Sequence, residues 1–178
     1  MSTIPEPRLS PLEYLARERT AMYKSEYYQG RAFPVAEAPT NHHRIVRNVV
    51  AHLDAQLRGG PCEIFGSALR LSCPSGLMTY PDAQVICGKL EYRIGTDDTV
   101  SNPKVIVEVL SKATEAYDRG QKFAFYREIP SLQEYVLVAY QAPLVERFHR
   151  QADTLPLAEV FRDVVFPSTS AGLDGRDE

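Results

Sequence analysis

The stretch KVIVEVLS, residues 104–111, constrains the fold more than any other segment. It has the length and aliphatic content of a buried strand, with Ile106, Glu108 and Leu110 on one face and Val105, Val107 and Val109 on the other. Glu108 lies in the middle of this apolar run. An ionised carboxylate there is costly unless something pairs with it. Any fold of this chain must therefore bring a partner to Glu108.

Two kinds of partner are open. One is a lysine or arginine in a buried ion pair. The other is a metal shared with a second acid, and Asp82 is the candidate. It follows Pro81 and stands at the start of the strand-like segment YPDAQVIC, so two neighbouring strands could bring Asp82 and Glu108 side by side. Two adjacent carboxylates repel, and burial makes it worse. Magnesium relieves that repulsion, because it takes hard oxygen ligands from one or two carboxylates plus waters and phosphates. An acid at a strand start is also an ordinary turn residue.

Lys122 lies on the helix that follows the Glu108 strand, and a helix leaving a strand folds back over the sheet. Asp118 stands four residues before it, which allows an exposed i,i+4 ion pair worth a few tenths of a kcal/mol. The functional alternative is a lysine pointing into an acidic metal site, where it orients or deprotonates the attacking water. On that reading Lys122 acts on the transition state and not on folding.

The remaining chain reads as a mixed α/β domain. SPLEYLARERTAMYK opens with Ser10, Pro11 and Glu13 in the order of a capping box. SEYYQGRAFPVA (25–36) predicts a hairpin around Gln29-Gly30. A long helix follows, with Asn41 as its cap, Ile45, Val46, Val49, Val50, Leu53 and Leu57 on one face, and Gly59-Gly60-Pro61 as its stop. Short strands are expected at CEIF, LRLSC, YPDAQVIC and KVIVEVL, with a polar loop between the last two. TEAYDRGQKFAFYREIP predicts one long helix, in which Gly120 costs roughly 1 kcal/mol against Ala and asks for a local reason. EYVLVAY and LVERFHR predict a second hairpin, and LPLAEVFRDVVF a short closing helix.

Composition narrows the class. At 178 residues, 44% apolar and 24% charged, the chain suits one soluble globular domain with a proper core. It has no apolar run of about 18 residues to cross a membrane. The N-terminus lacks the features of a secretory signal, so a cytoplasmic location is expected. Cys62, Cys73 and Cys87 are widely spaced without a CxxC pair, which predicts free thiols with neither disulfide nor zinc site. A net charge of −3 lacks the basic excess of a dedicated nucleic-acid binder. Any nucleic-acid contact must then rest on local patches or a bound cation.

The order YPDAQVICG … NPKVIVEVLSKATEAYDRGQKFAFYREIPSLQEYVLV resembles the Uma family, described as restriction endonucleases, within the PD-(D/E)XK nuclease superfamily. The likeness runs from RLSPLEYL to about VERFHR. It implies a restriction-endonuclease-like fold, a central mixed sheet flanked by helices, expected as a single domain over 1–166, while PSTSAGLDGRDE (167–178) reads as a polar, disordered tail by itself. It also implies a metal-dependent endodeoxyribonuclease. Asp82, Glu108 and the backbone carbonyl of Val109 would hold Mg2+, with Mn2+ as substitute, and Lys122 would assist the water. Glu26 matches an acid that approaches the superfamily's metal site, and His42 matches a family position whose role stays open. Tyr80, Ser111 and Tyr126 are expected as neighbours of the site in packing or capping roles.

Three departures stand out. Leu110 replaces the lysine expected two residues after the Glu, so the helix supplies it as Lys122. Ala68 stands where relatives carry an acid. The segment RQADTLPLAEVF joins the second hairpin almost directly to the last helix. Arg44, Arg47, Lys112 and Arg119 are candidate phosphate contacts and equally ordinary solvated charges. DNA is the expected partner and a homodimer the expected assembly, since cutting two strands takes two sites. The rival expectation is a nuclease fold with weakened or absent catalysis that binds nucleic acid or a protein partner. Hydrolysis of another phosphoester would keep the metal chemistry, but no phosphate-cradling glycine loop is present to support it.

Overall fold

A computed structural model describes residues 8–151 of the protein. The chain opens with α1 (Pro11–Glu18), the strands β1 (Ser25–Tyr28) and β2 (Arg31–Pro34), and the long α2 (Thr40–Leu57). Six strands follow: β3 (Cys62–Gly66), β4 (Arg70–Ser72), β5 (Met78–Thr79), β6 (Ala83–Cys87), β7 (Thr99–Val100) and β8 (Val105–Val109). Two short helices, α3 (Glu115–Arg119) and α4 (Gln121–Arg127), lead to β9 (Glu134–Val138) and β10 (Val145–His149). The expected closing helix, the 166/167 boundary and the tail lie outside the described residues.

The strands form two mixed five-stranded sheets, ordered β2-β1-β5-β4-β7 and β10-β9-β8-β6-β3. The second sheet holds the Glu108 strand at its centre. β8 runs antiparallel to β6 and parallel to β9, and α3 and α4 form the crossover between β8 and β9. The expected return of a helix over this sheet is therefore met. Ile106, Tyr126, Ile129, Tyr135 and Leu137, all nearly inaccessible, pack where α4 meets the sheet. The expectation of one central sheet misses the other one, which uses two-residue strands β5 and β7. β7 lies inside the segment read as a polar loop, where Thr99 pairs with Arg70 and Val100 with Leu71.

Local chemistry explains most of the elements. In α1 the Ser10 hydroxyl accepts from Glu13 N at 3.2 Å while the Glu13 carboxylate accepts from Ser10 N at 2.7 Å, the expected capping box. Tyr14 and Leu15 then bury against Tyr27 and Met78, tying α1 to the first sheet at about 1.5–3 kcal/mol per large apolar side chain. The β1–β2 turn has positive φ at Gln29 (48°) and Gly30 (85°), the geometry a two-residue hairpin demands. At Gly30 a Cβ would also sit 2.8 Å from the Arg8 side chain.

Three expectations need correction. Asn41 does not cap α2: the helix begins behind Pro39, and the Asn41 side chain accepts from Arg44 at 3.0 Å. The six residues of its apolar face are only half-buried, and the one fully buried α2 side chain is His42. The long helix around Gly120 is in fact two, α3 and α4, joined at that glycine. A Cβ there would lie 2.9 Å from the Ala116 carbonyl oxygen, which is the local reason the position is glycine. Finally, Cys62 and Cys87 form a disulfide, while Cys73 is free and buried. The strand register sets Cys62 opposite Cys87, a pairing that spacing along the chain does not reveal.

Candidate active site

The β6–β8 register pairs Ala83 with Val107, so Asp82, one residue before β6, stands opposite Glu108. The two are joined through the backbone. Asp82 N donates to Glu108 Oε2 at 3.3 Å, and Val109 N donates to Asp82 Oδ2 at 2.8 Å. The expected acid pair is thus brought together. Lys122 reaches Glu108 from α4, with Nζ 2.9 Å from Oε1, and the same ammonium lies 3.4 Å from Glu26 and 3.5 Å from Asp118. Glu26 sits on β1, where Thr79 also donates to its carboxylate. Lys122 thus points into the acidic site and also meets Asp118, but that pair is buried and spans the α3–α4 junction, which corrects the expected exposed pair on one helix.

Electrostatics follow from burial. Glu108 is 3% exposed, and removal from water pushes its carboxyl up to about 8, with Lys122 opposing the rise and Asp82 and Asp118 adding to it. Burial also raises Asp118. For Lys122, burial alone would favour the neutral amine, but Glu108, Glu26 and Asp118 outweigh it and hold the ammonium well above its ordinary value. Lys122 stays charged. At 6% exposed and among three carboxylates it is also a structural residue, which corrects the assignment to catalysis alone.

Several contacts were not legible, or were read as packing. Tyr126 donates to Glu108 Oε1 at 2.7 Å and so fixes that carboxylate. His42 Nε2 lies 3.1 Å from Asp82 Oδ2, and this hydrogen bond raises the imidazole's pKa. His42 therefore holds Asp82 from the α2 side, which answers what that histidine does. Asp118 was read only as a helix partner. Its signal was present in the spacing, because 118, 122 and 126 fall four apart, although the break at Gly120 puts Asp118 on α3 and the other two on α4. Thr79 carried no such signal. Ser111 pairs its hydroxyl with Thr114 at 3.1 Å ahead of α3, and Tyr80 links Arg70 and Glu18, each at 2.9 Å.

The site opens into a cavity of about 370 Å³ whose wall includes Glu26, Asp82, Glu108, Asp118 and Lys122. Among the proposed phosphate contacts, Arg44, Arg47 and Lys112 are exposed. Arg119 is engaged, bonding both oxygens of Glu146 (2.5 and 2.9 Å) and Glu115 (2.8 Å). It fastens α3 to β10. Ala68 is exposed in the β3–β4 turn and is not on the cavity wall.

Could these residues hold a magnesium ion? Among the described residues no three His, Cys, Asp or Glu side chains converge as a ready-made cage. Magnesium does not need one, since it keeps several waters and uses one or two carboxylates with substrate phosphate. Asp82 Oδ1 has no hydrogen-bond partner among the described residues, and Glu108 Oε2 has only the long contact from Asp82 N. Each acid of the facing pair thus keeps an oxygen for a cation. The donor set fits.

An acid pair on adjacent strands of a mixed sheet, with a lysine on the crossover helices, is the arrangement that the resemblance implied. Residues 11–176 match the family Uma2, described as "Putative restriction endonuclease", and the chain belongs to that family. It is 39% identical over 146 residues to "Uncharacterized protein sll1609" of Synechocystis sp. (strain ATCC 27184 / PCC 6803 / Kazusa), covering 82% of each chain. It is 35% identical over 150 residues to "Uncharacterized protein slr1290" of the same organism, covering 84% of this chain and 78% of the relative. Among solved structures it is similar in fold to "a putative nuclease belonging to DUF820" from Anabaena variabilis ATCC 29413, with a TM-score of 0.60 and 17% identity over 78% of this chain and 83% of that one. No helix among the described residues is long and apolar enough to cross a membrane.

Proposed function

We propose that this nuclease is a magnesium-dependent endonuclease that hydrolyses DNA phosphodiester bonds. One observation carries the reading: Asp82 and Glu108 face each other across β6 and β8, with the charged Lys122 2.9 Å from Glu108. Asp82, Glu108 and the carbonyl of Val109 would hold the ion, and manganese would substitute. Magnesium bound there would stabilise charge on the phosphate and lower the pKa of a bound water.

The chain's own residues do the rest. Lys122 orients the attacking water and offsets negative charge developing on the phosphate. Without metal its carboxylate neighbours keep it protonated, so it starts as a hydrogen-bond donor and a charge. Tyr126 holds the Glu108 carboxylate, His42 holds that of Asp82, and Glu26 holds the ammonium. Lys112, and Arg44 and Arg47 on breaking exposed bonds to Asn41 and Asn48, would meet phosphates along the strand, whereas Arg119 would first have to leave Glu146. A homodimer would present two such sites to two strands.

Nicking of supercoiled plasmid with magnesium tests this. Wild type should nick, while Asp82→Asn and Glu108→Gln should each be slower by orders of magnitude. Equal rates in all three would remove the acid pair from the chemistry. A second reading, a nuclease fold kept for binding alone, is favoured by the way Lys122 and Tyr126 already engage one oxygen of Glu108 and His42 one oxygen of Asp82. It predicts DNA retention without nicking in wild type.

A further inference from the structure

The cavity at the acid pair has a second wall of different chemistry. Phe33, Pro34 and Val35 line it from β2 and the segment after it. Phe33 is the cross-strand partner of Glu26, so the hairpin presents an aromatic ring beside the acid that touches Lys122. Cross-strand partners share a face of the sheet with Cβ atoms about 4.5–5.5 Å apart. The ring is 45% exposed although it borders a buried ionic cluster. On the same face, Tyr28 is stacked at a tilt on Phe125, with centroids 4.7 Å apart, so its ring is already spoken for.

The charges on the cavity wall say what such a ring could be for. The wall carries Glu26, Glu37, Asp82, Glu108 and Asp118 against one lysine and one histidine, with no arginine. The lysine is shared among three carboxylates and the histidine is held by Asp82. A protein that tracks duplex DNA gains its affinity from cations meeting many phosphates. This cavity has none to spare. Stacking of a base on an aromatic ring contributes strongly per base in single-strand binders, alongside the cations that track their backbone. The volume, about 370 Å³, lies at the small end of the range that encloses one small molecule, roughly 300–1,000 Å³. One unstacked nucleotide suits it, and a paired stack does not.

Building on the nuclease reading, we infer that Phe33 is a substrate-positioning residue that stacks on an unpaired base, so that the enzyme acts on single-stranded or locally unpaired DNA. The phosphate next to that base would then lie toward Asp82 and Glu108.

Binding measured by fluorescence anisotropy in calcium, without turnover, tests it. The probes are one labelled oligonucleotide as a single strand and the same strand in a duplex. Wild type should prefer the single strand. Phe33→Ala should weaken single-strand binding by about tenfold or more, and Phe33→Tyr should restore it. The half-exposed edge position of Phe33 makes both variants compatible with folding. Equal affinity of wild type for the two probes, or single-strand binding unchanged in Phe33→Ala, would overturn the inference. A failure of the nuclease reading appears elsewhere, as absence of cleavage of the same single-stranded oligonucleotide in magnesium with the anisotropy preference intact.

Discussion

Replacing Lys122 with methionine removes one charge and keeps most of the buried stem, so it isolates the ionic contribution. Glu108, Glu26 and Asp118 then lose an ammonium at 2.9, 3.4 and 3.5 Å. Removing one partner of a buried pair costs about 3–5 kcal/mol, because the other charge stays buried and uncompensated. Here the cost falls toward the lower figure. Lys122 is the largest influence holding the Glu108 carboxyl down, so without it Glu108 takes up a proton and remains hydrogen-bonded to Tyr126. A loss of about 3 kcal/mol in a domain of this size lowers Tm by roughly 6–12 °C. Thermal melts followed by circular dichroism at several pH values measure it. The deficit should be smallest under acid conditions, where Glu108 is neutral, and largest in alkali. A variant that melts with wild type at every pH would refute the buried ion cluster.

Two further outcomes follow from the same geometry. The Glu108 carboxyl, raised from 4.5 to about 8 in the fold, favours the folded state while protonated, so metal-free wild type should lose stability as pH rises across that window. His42, also raised, adds to the same trend, and Glu108→Gln should flatten the slope in a melt series. Gly120→Ala sets a methyl group 2.9 Å from the Ala116 carbonyl, a backbone atom that cannot swing aside. It should cost about 1–3 kcal/mol and reduce nicking, because the α3–α4 junction sets where Lys122 points; an unchanged melt would show that the junction relaxes freely.

The sequence made some of this readable for definite reasons. Glu108 was conspicuous because an acid in a five-residue aliphatic strand violates the pattern around it, and Asp82 because it follows a proline at a strand start. The α1 capping box and the β1–β2 turn are local signals that need no tertiary context, and both appear as expected. What failed depends on contacts between distant residues. The Cys62–Cys87 bond is a property of register between β3 and β6. The contact of His42 with Asp82 joins α2 to a strand forty residues further along. β5 and β7 have two residues each, too few for any periodicity to register. Gly120 announced itself as an oddity, but the close approach to Ala116 that explains it is visible only in the fold.

Asp82 and Glu108, with Lys122 beside them, are proposed as a metal site. A crystal soaked in manganese and measured at the manganese absorption edge tests it most directly. One anomalous peak should appear between the carboxylates of Asp82 and Glu108 and be absent from Glu108→Gln crystals. No peak at the acid pair in saturating manganese, with Lys122 still bonded to Glu108 as at 2.9 Å here, would contradict it.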